Sequence, residues 1–200
     1  MYIIGITGGT GAGKSTAAKA LQTLGAEALD CDLIYHELLL HNVDMIAEIK
    51  QHFENVSTNG GVDRSKLSEI VWKDPASLQK LNTITHKYVS DEIERQIASF
   101  KEDGVSTVAI DAIALIESNQ SKKCDAVIGI IAPQEKRVLR IINRDNLTRE
   151  HALMRIGAQK PDSFYQSNCD YILENVYSTE SEFEEICIEF FKALLSQKLP

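Results

Sequence analysis

Gly8-Gly9-Thr10-Gly11-Ala12-Gly13-Lys14-Ser15 is the stretch that decides the fold. It matches the spacing G-x-x-x-x-G-K-[ST], and chemistry explains that spacing. A chain of phosphates needs many donors at close range. Backbone amides supply them only where no Cβ intervenes, hence the glycines. The positive end of a following helix adds field at the same spot. In such a loop Lys14 neutralises β- and γ-phosphate oxygens and the Ser15 hydroxyl ligates magnesium. Gly11, Ala12, Gly13 and Thr16 complete the expected nucleotide contacts. The implied cofactors are ATP and Mg2+. A glycine-rich turn with an exposed lysine is the bland alternative, and the flanking sequence argues against it.

Upstream, residues 2–7 form a short β-branched run, which predicts a buried strand. Downstream, residues 14–24 are good helix formers, with Gly25 placed to end the helix. Working outward, 26–30 reads as a second strand, and 32–53 as helical with a break near Asn42. Residues 57–61 read as a turn. From Asp63 to Lys101 the pattern is helical, interrupted where Asp74-Pro75 fits an N-cap followed by proline at the first helical position. Residues 105–111 and 126–132 are apolar enough for strands covered on both faces. Helices are expected at about 134–144 and 149–159, then a short strand at 170–174. The last helix opens on Thr179-x-x-Glu182, a capping-box pattern, and runs to about Leu195. Its spacing of Phe183, Ile186, Phe190 and Leu194 predicts the packed stripe. Strands alternating with helices predict an α/β fold with a parallel sheet.

The composition agrees with a folded chain. Of 200 residues, 44% are hydrophobic and 25% charged, which excludes a disordered or fibrous protein. A net charge of −8 argues against nucleic acid or an anionic membrane as a partner. No apolar run approaches the roughly 20 residues a membrane helix needs. The N-terminal run lacks a basic lead and meets glycines at once, so no signal peptide is expected. Cys31, Cys124, Cys169 and Cys187 form no CxxC pair and read as reduced thiols of a cytoplasmic protein, Cys31 and Cys124 as packing residues.

Ligands of open α/β sheets bind beyond the carboxyl ends of the strands. Asp30 and Asp32 follow the second strand, and Asp111 ends the third. A carboxylate there can orient an acceptor hydroxyl and take its proton. One of Asp30 and Asp32 is expected to do so while the other caps the next helix; both acting as caps is the alternative. Asp111 is a candidate to organise magnesium through water, or a turn residue. Residues 134–160 carry seven basic side chains against three acidic ones, net +4. Arg137, Arg140 and Arg144 share one helix face, which suggests an arginine lid over a nucleotide; a solvated face with local ion pairs is the alternative.

These residues together resemble the dephospho-CoA kinase family. The segment GITGGTGAGKST is similar to its signature, and Asp30-Cys31-Asp32-Leu33-Ile34 looks like its D-A-D-x-I segment. Residues 67–86, through His86, resemble its helical acceptor-side region, and 144–150 with 155–159 resemble its lid. Asn175 fits its asparagine after the final strand. The resemblance implies a P-loop NTPase-type parallel sheet flanked by helices, with a helical acceptor-binding insertion and an arginine-rich lid. One domain is expected: core at about 1–31, 102–133 and 170–200, insertion at 32–101, lid at 134–169.

It also implies transfer of the ATP γ-phosphate to the ribose 3′-hydroxyl of dephospho-CoA, with Asp32 as general base. Lys14 and Arg140 would stabilise the transferring group, Ser15 would hold magnesium, and Arg144 and Asn175 would contact the nucleotide, Asn175 near the adenine. Asp32, His36, His86, Asp111 and Glu117 would bind the acceptor. A monomer acting on a small molecule is expected. The chain departs from the family pattern at His36, where arginine is usual, at Lys87, where proline is usual, and across 111–117, which lacks the usual proline and aromatic. Those changes keep two other readings in view: a related nucleoside or nucleotide kinase, and a nucleotide-binding regulator without turnover.

Overall fold

The computed structural model describes residues 1–58 and 61–197. Five strands make one sheet: β1 (Tyr2–Gly8), β2 (Glu27–Asp30), β3 (Thr107–Asp111), β4 (Ala126–Ile131) and β5 (Tyr171–Glu174). Their order is β2-β3-β1-β4-β5, and the pairs β1–β3, β1–β4 and β4–β5 are parallel. Nine helices are described: α1 (Lys14–Thr23), α2 (Cys31–His41), α3 (Val43–His52), α4 (Arg64–Lys73), α5 (Pro75–Glu102), α6 (Gln134–Asp145), α7 (Arg149–Gly157), α8 (Asp162–Asn168) and α9 (Glu180–Ser196). The expected α/β class with a parallel, helix-flanked sheet is what forms.

The chain separates into two compact units. One is Met1–Leu29 together with the chain from Phe100 onward; the other is Asp30–Ser99. In the first unit the period of two along β1 sends Ile4 and Ile6 to one face, where they join Ala109, Ile128 and Ile130. Ala17, Ala20 and Leu21 of α1 and Phe183, Phe191 and Leu194 of α9 close over them. The opposite face at Gly5 meets Leu115 and Cys124.

On α9 the fully packed stripe is Phe183, Cys187, Phe191 and Leu194, while Ile186 and Phe190 flank it. The expected stripe is therefore rotated by about one residue at two positions. Both rotations fit the spacing, and packing against the sheet selects one. The helix also carries five glutamates. Burying each of Phe183, Phe191 and Leu194 contributes roughly 1.5–3 kcal/mol, which outweighs i,i+4 like-charge repulsions of about 0.2–0.5 kcal/mol.

The second unit has its own core: Leu39, Met45, Ile49, Phe53, Leu67, Val71, Leu81 and Ile84, drawn from α2 to α5. Its helix starts are written in the sequence. Asn42 separates α2 from α3 and accepts the Met45 amide at 2.8 Å. Asp63 caps α4, and Asp74 receives the Ser77 amide ahead of α5. Thr179 and Glu182 form the expected capping box on α9. Of the expected turn at 57–61, Ser57 bridges Val62, and residues 59–60 lie outside the described residues. Helix α8 was not expected; it is only seven residues long and too short for a periodic signal.

Candidate active site

The loop Gly8–Gly13 joins the carboxyl end of β1 to the start of α1. Helix α1 has Gly13 as its N-cap, with no side-chain cap and no acidic residue in its first turn. By contrast α2, α3, α4 and α9 are capped by Asp30, Asn42, Asp63 and Thr179. The first amides of a helix lack intrahelical partners. Helix α1 thus opens without the side-chain cap that these four helices carry.

Close approach dictates glycine at Gly13 and Gly9. Gly13 has φ +113°, and a Cβ there would stand 2.5 Å from Asn175 Nδ2 and 3.1 Å from the Phe183 ring. A Cβ on Gly9 would overlap the Arg137 guanidinium.

The loop is held from outside by three side chains that all grip its carbonyls. Arg137 Nε donates to Thr10 O at 2.9 Å. Arg140 Nη1 donates to Gly11 O at 3.1 Å and Ala12 O at 3.3 Å. Asn175 Nδ2 donates to Ala12 O at 2.9 Å. In a trans peptide the N–H opposes the C=O. Pinning these carbonyls therefore turns the amides of Gly11 and Gly13 the other way. The Ala12 amide closes the turn onto Gly9 O at 3.1 Å.

Gln159 completes the grip: its Oε1 accepts the Thr10 amide at 2.8 Å, and its Nε2 donates to Thr10 Oγ1 at 2.6 Å. Arg137 Nη2 meets the same Oε1 at 2.9 Å, and Nη1 lies 3.7 Å from Asp162. Burial works against both guanidiniums and lowers their pKa from the usual arginine value; at Arg137 the Asp162 charge opposes this. They remain charged because arginine loses its proton only far above neutrality.

The arginine face of α6 is thus divided. Arg137 is buried, and Arg140 spends its remaining terminal donors on Asn175 Oδ1 at 2.9 Å and Tyr177 O at 3.2 Å. Arg144 and Arg155 converge on Asp145, and Arg149 pairs with Glu135. Asn175, expected near the adenine, is buried, with its amide shared between Ala12 and Arg140.

Lys14 is half-buried and Ser15 exposed on the first turn of α1. Asp111 ends β3 opposite Ile6, so its backbone stands beside the last residues of β1. Glu117 is exposed in the turn that follows. Asp32, His36 and His86 belong to the second unit, on α2 and α5. Asp30 is the cap of α2, accepting the amides of Asp32 and Leu33 at 2.9 and 3.0 Å. Strand β2 ends at Asp30, so the period of two does not carry on to Asp32, which is exposed on the first turn of the helix.

Sequence reading puts Arg137 on the arginine face and Gln159 in the lid-like segment, but gives neither a contact with the loop. Arg137 lies on the same face as Arg140, and that signal was available. Gln159 carries only its place at the end of the lid-like segment 155–159, because its partner Thr10 lies 149 positions away.

The fit to magnesium rests on the same features. Among the described residues no three His, Cys, Asp or Glu side chains gather to hold a metal. The Ser15 hydroxyl at an uncapped helix start suits a magnesium held chiefly by phosphates and water. No described helix is long and apolar enough to cross a membrane.

Comparison with known proteins agrees with this geometry. The dephospho-CoA kinase family model matches residues 2–181. The dephospho-CoA kinase of Carboxydothermus hydrogenoformans is 33% identical over 92% of this chain and 90% of its own length. Among solved structures, TT1252 from Thermus thermophilus superposes with a TM-score of 0.81 at 30% identity, covering 100% of this chain and 98% of that one. Dephospho-CoA kinase from Campylobacter jejuni, at 23% identity and TM-score 0.70 over 98% of both chains, shares the fold. A phosphate loop braced by α6 and Asn175, and a sequence pattern that runs nearly end to end, lead to one assignment: the chain belongs to the dephospho-CoA kinase family.

Proposed function

We propose that this protein transfers the γ-phosphate of ATP to the ribose 3′-hydroxyl of dephospho-CoA, giving coenzyme A and ADP. The observation that carries the reading is the braced loop, whose carbonyls are pinned outward by Arg137, Arg140 and Asn175 beside an uncapped α1. Amides fixed before the substrate arrives cost no reorganisation when charge develops on the phosphate.

In this reading the amides of Gly11 and Gly13 and of the first turn of α1, Lys14 to Thr16, hold the phosphate chain. Lys14 neutralises its terminal oxygens. Ser15 would hold magnesium, which would supply positive charge beside the phosphates. Asp32 orients the acceptor hydroxyl and takes its proton as the oxygen–phosphorus bond forms and the bond to the β-phosphate oxygen breaks. Arg140 acts on the transferring group by holding the loop, since its four terminal donors are engaged with Gly11, Ala12, Asn175 and Tyr177. Asn175 buckles loop to arginine, and Arg144 meets the nucleotide from the outer part of α6. His36, His86, Asp111 and Glu117 serve the acceptor. We read the whole as one P-loop kinase domain with residues 134–169 as the lid, working as a cytoplasmic monomer on a small molecule, with neither nucleic acid nor membrane as partner.

The test is ATP consumption by purified protein with dephospho-CoA, with product mass showing one added phosphate. Phosphorylation of a nucleoside but not of dephospho-CoA would overturn the acceptor assignment, and tight ATP binding without turnover on any alcohol would overturn the kinase.

A further inference from the structure

Arg137 of α6 is buried, yet its charge has no close counter-ion. A guanidinium has five N–H donors, and two of them are used here: Nε on Thr10 O and Nη2 on Gln159 Oε1, each at 2.9 Å. Both acceptors are neutral. Among the described residues the carboxylate that pairs with it is Asp162, 3.7 Å from Nη1, with 43% of its own side chain exposed to water. Tyr165 is the other titratable group that acts on Arg137. It adds no charge, because burial pushes its hydroxyl up to about 12 and it keeps its proton.

Holding the loop does not call for this charge. Asn175 holds the Ala12 carbonyl with a neutral amide at 2.9 Å, and Gln159 holds the Thr10 hydroxyl with another at 2.6 Å. A buried cation without a close counter-ion destabilises the fold, and a neutral side chain of similar volume is often neutral or stabilising in its place. The position of the guanidinium shows what balances it. It lies against Gly9, where a Cβ would overlap it. The Thr10 carbonyl that it holds and the Gly11 amide belong to one trans peptide and point opposite ways. Arg137 therefore stands at one end of that peptide, and an anion on the Gly11 amide stands at the other. A charged donor on the carbonyl polarises the peptide and makes the amide a stronger donor.

We infer that Arg137 is a positioning residue for the phosphate chain, whose buried charge acts through the Thr10–Gly11 peptide and finds its counter-ion in the bound nucleotide. This rests on the kinase reading, which puts phosphates on that amide. It makes Arg137 a residue that weakens the empty protein and strengthens the filled one, the reverse of a structural brace.

The experiment measures the melting curve without nucleotide, ATP binding by calorimetry with magnesium, and turnover with dephospho-CoA, in wild type and in three variants. Arg137→Met removes charge and donors, Arg137→Gln keeps a neutral donor, and Arg137→Lys keeps the charge. Both neutral variants are expected to bind ATP on the order of 10–100-fold more weakly, as loss of a charged hydrogen bond does. Without nucleotide they should melt within about 3 °C of wild type or above it. Arg137→Lys should recover most of the lost affinity. ATP affinity within about twofold of wild type in Arg137→Gln would show that a neutral grip suffices, and overturns the inference. So does Arg137→Lys binding ATP no better than Arg137→Gln. Both neutral variants melting more than about 3 °C below wild type would mark a structural brace, and overturns it too. Wild-type protein that binds ATP in this charge-dependent way but phosphorylates no alcohol overturns the kinase reading alone. Wild-type protein that does not bind ATP overturns both.

Discussion

Gln159 closes on Thr10 from 149 residues away, taking its amide at 2.8 Å and giving a hydrogen bond to its hydroxyl at 2.6 Å. The same Oε1 receives Arg137, so one side-chain amide joins the connection after α7 to the phosphate loop and to α6. The end of α7 is therefore tied to the loop that follows β1.

Gln159→Ala should loosen the loop without unfolding the protein. Two partly buried hydrogen bonds to Thr10 disappear, and the Thr10 amide and Arg137 lose a shared acceptor. At roughly 1–1.5 kcal/mol for a typical bond, ATP KM should rise about 5–20-fold while the melting curve moves little. Titration of ATP in the steady state checks this; an unchanged ATP KM would show that the clamp is incidental.

Asp32→Asn keeps the shape of the side chain and removes its basicity. Asp30 still caps α2, so the helix start is preserved. Turnover should fall on the order of 10²–10⁴-fold with ATP affinity held, the range for removal of a positioned acid or base. If turnover persists, Asp111 at the end of β3 becomes the base to test.

Acid should loosen the junction of α6 and α7 at Asp145. Hydrogen bonds from Arg144 come first, then the charges of Arg144 and Arg155, and together they lower the Asp145 pKa below its ordinary value. A depressed carboxylate stabilises the folded state above its unfolded pKa, near 3.9, and that contribution fades as pH falls through the lower folded value. Asp145→Asn should therefore cost up to about 1 kcal/mol at pH 7 and progressively less below pH 4. Urea unfolding at both pH values measures the difference; an equal loss at both would remove the electrostatic explanation.

Three thiols should resist labelling. Burial is the leading cause that pushes the Cys124 and Cys187 thiols up to about 12 and Cys169 to about 11. The thiolate is the reactive form, so at pH 8 very little is present. Iodoacetamide followed by mass spectrometry should leave these three unmodified in native protein and modify them in urea. Rapid native labelling at Cys187 would mean that α9 leaves the sheet readily.

Local and periodic features were legible in the residues alone. The loop Gly8–Ser15, the strand before it and the helix after it could be read because a phosphate cradle is built from consecutive amides. The break at Asn42, the start at Asp74-Pro75 and the Thr179–Glu182 box could be read because a cap acts on amides two or three positions away. Asp30 and Asp32 could not be told apart, because the choice depends on where β2 stops. Only the tertiary structure decided what α6 does: spacing put Arg137 and Arg140 on one face, and the fold turned that face onto the carbonyls of Thr10, Gly11 and Ala12. It likewise decided which stripe of α9 is buried, that Gln159 reaches Thr10, and that Arg64 reaches His36. Contacts between residues far apart in the chain leave no period and no local pattern. They are set by how faces pack, and packing depends on every element at once.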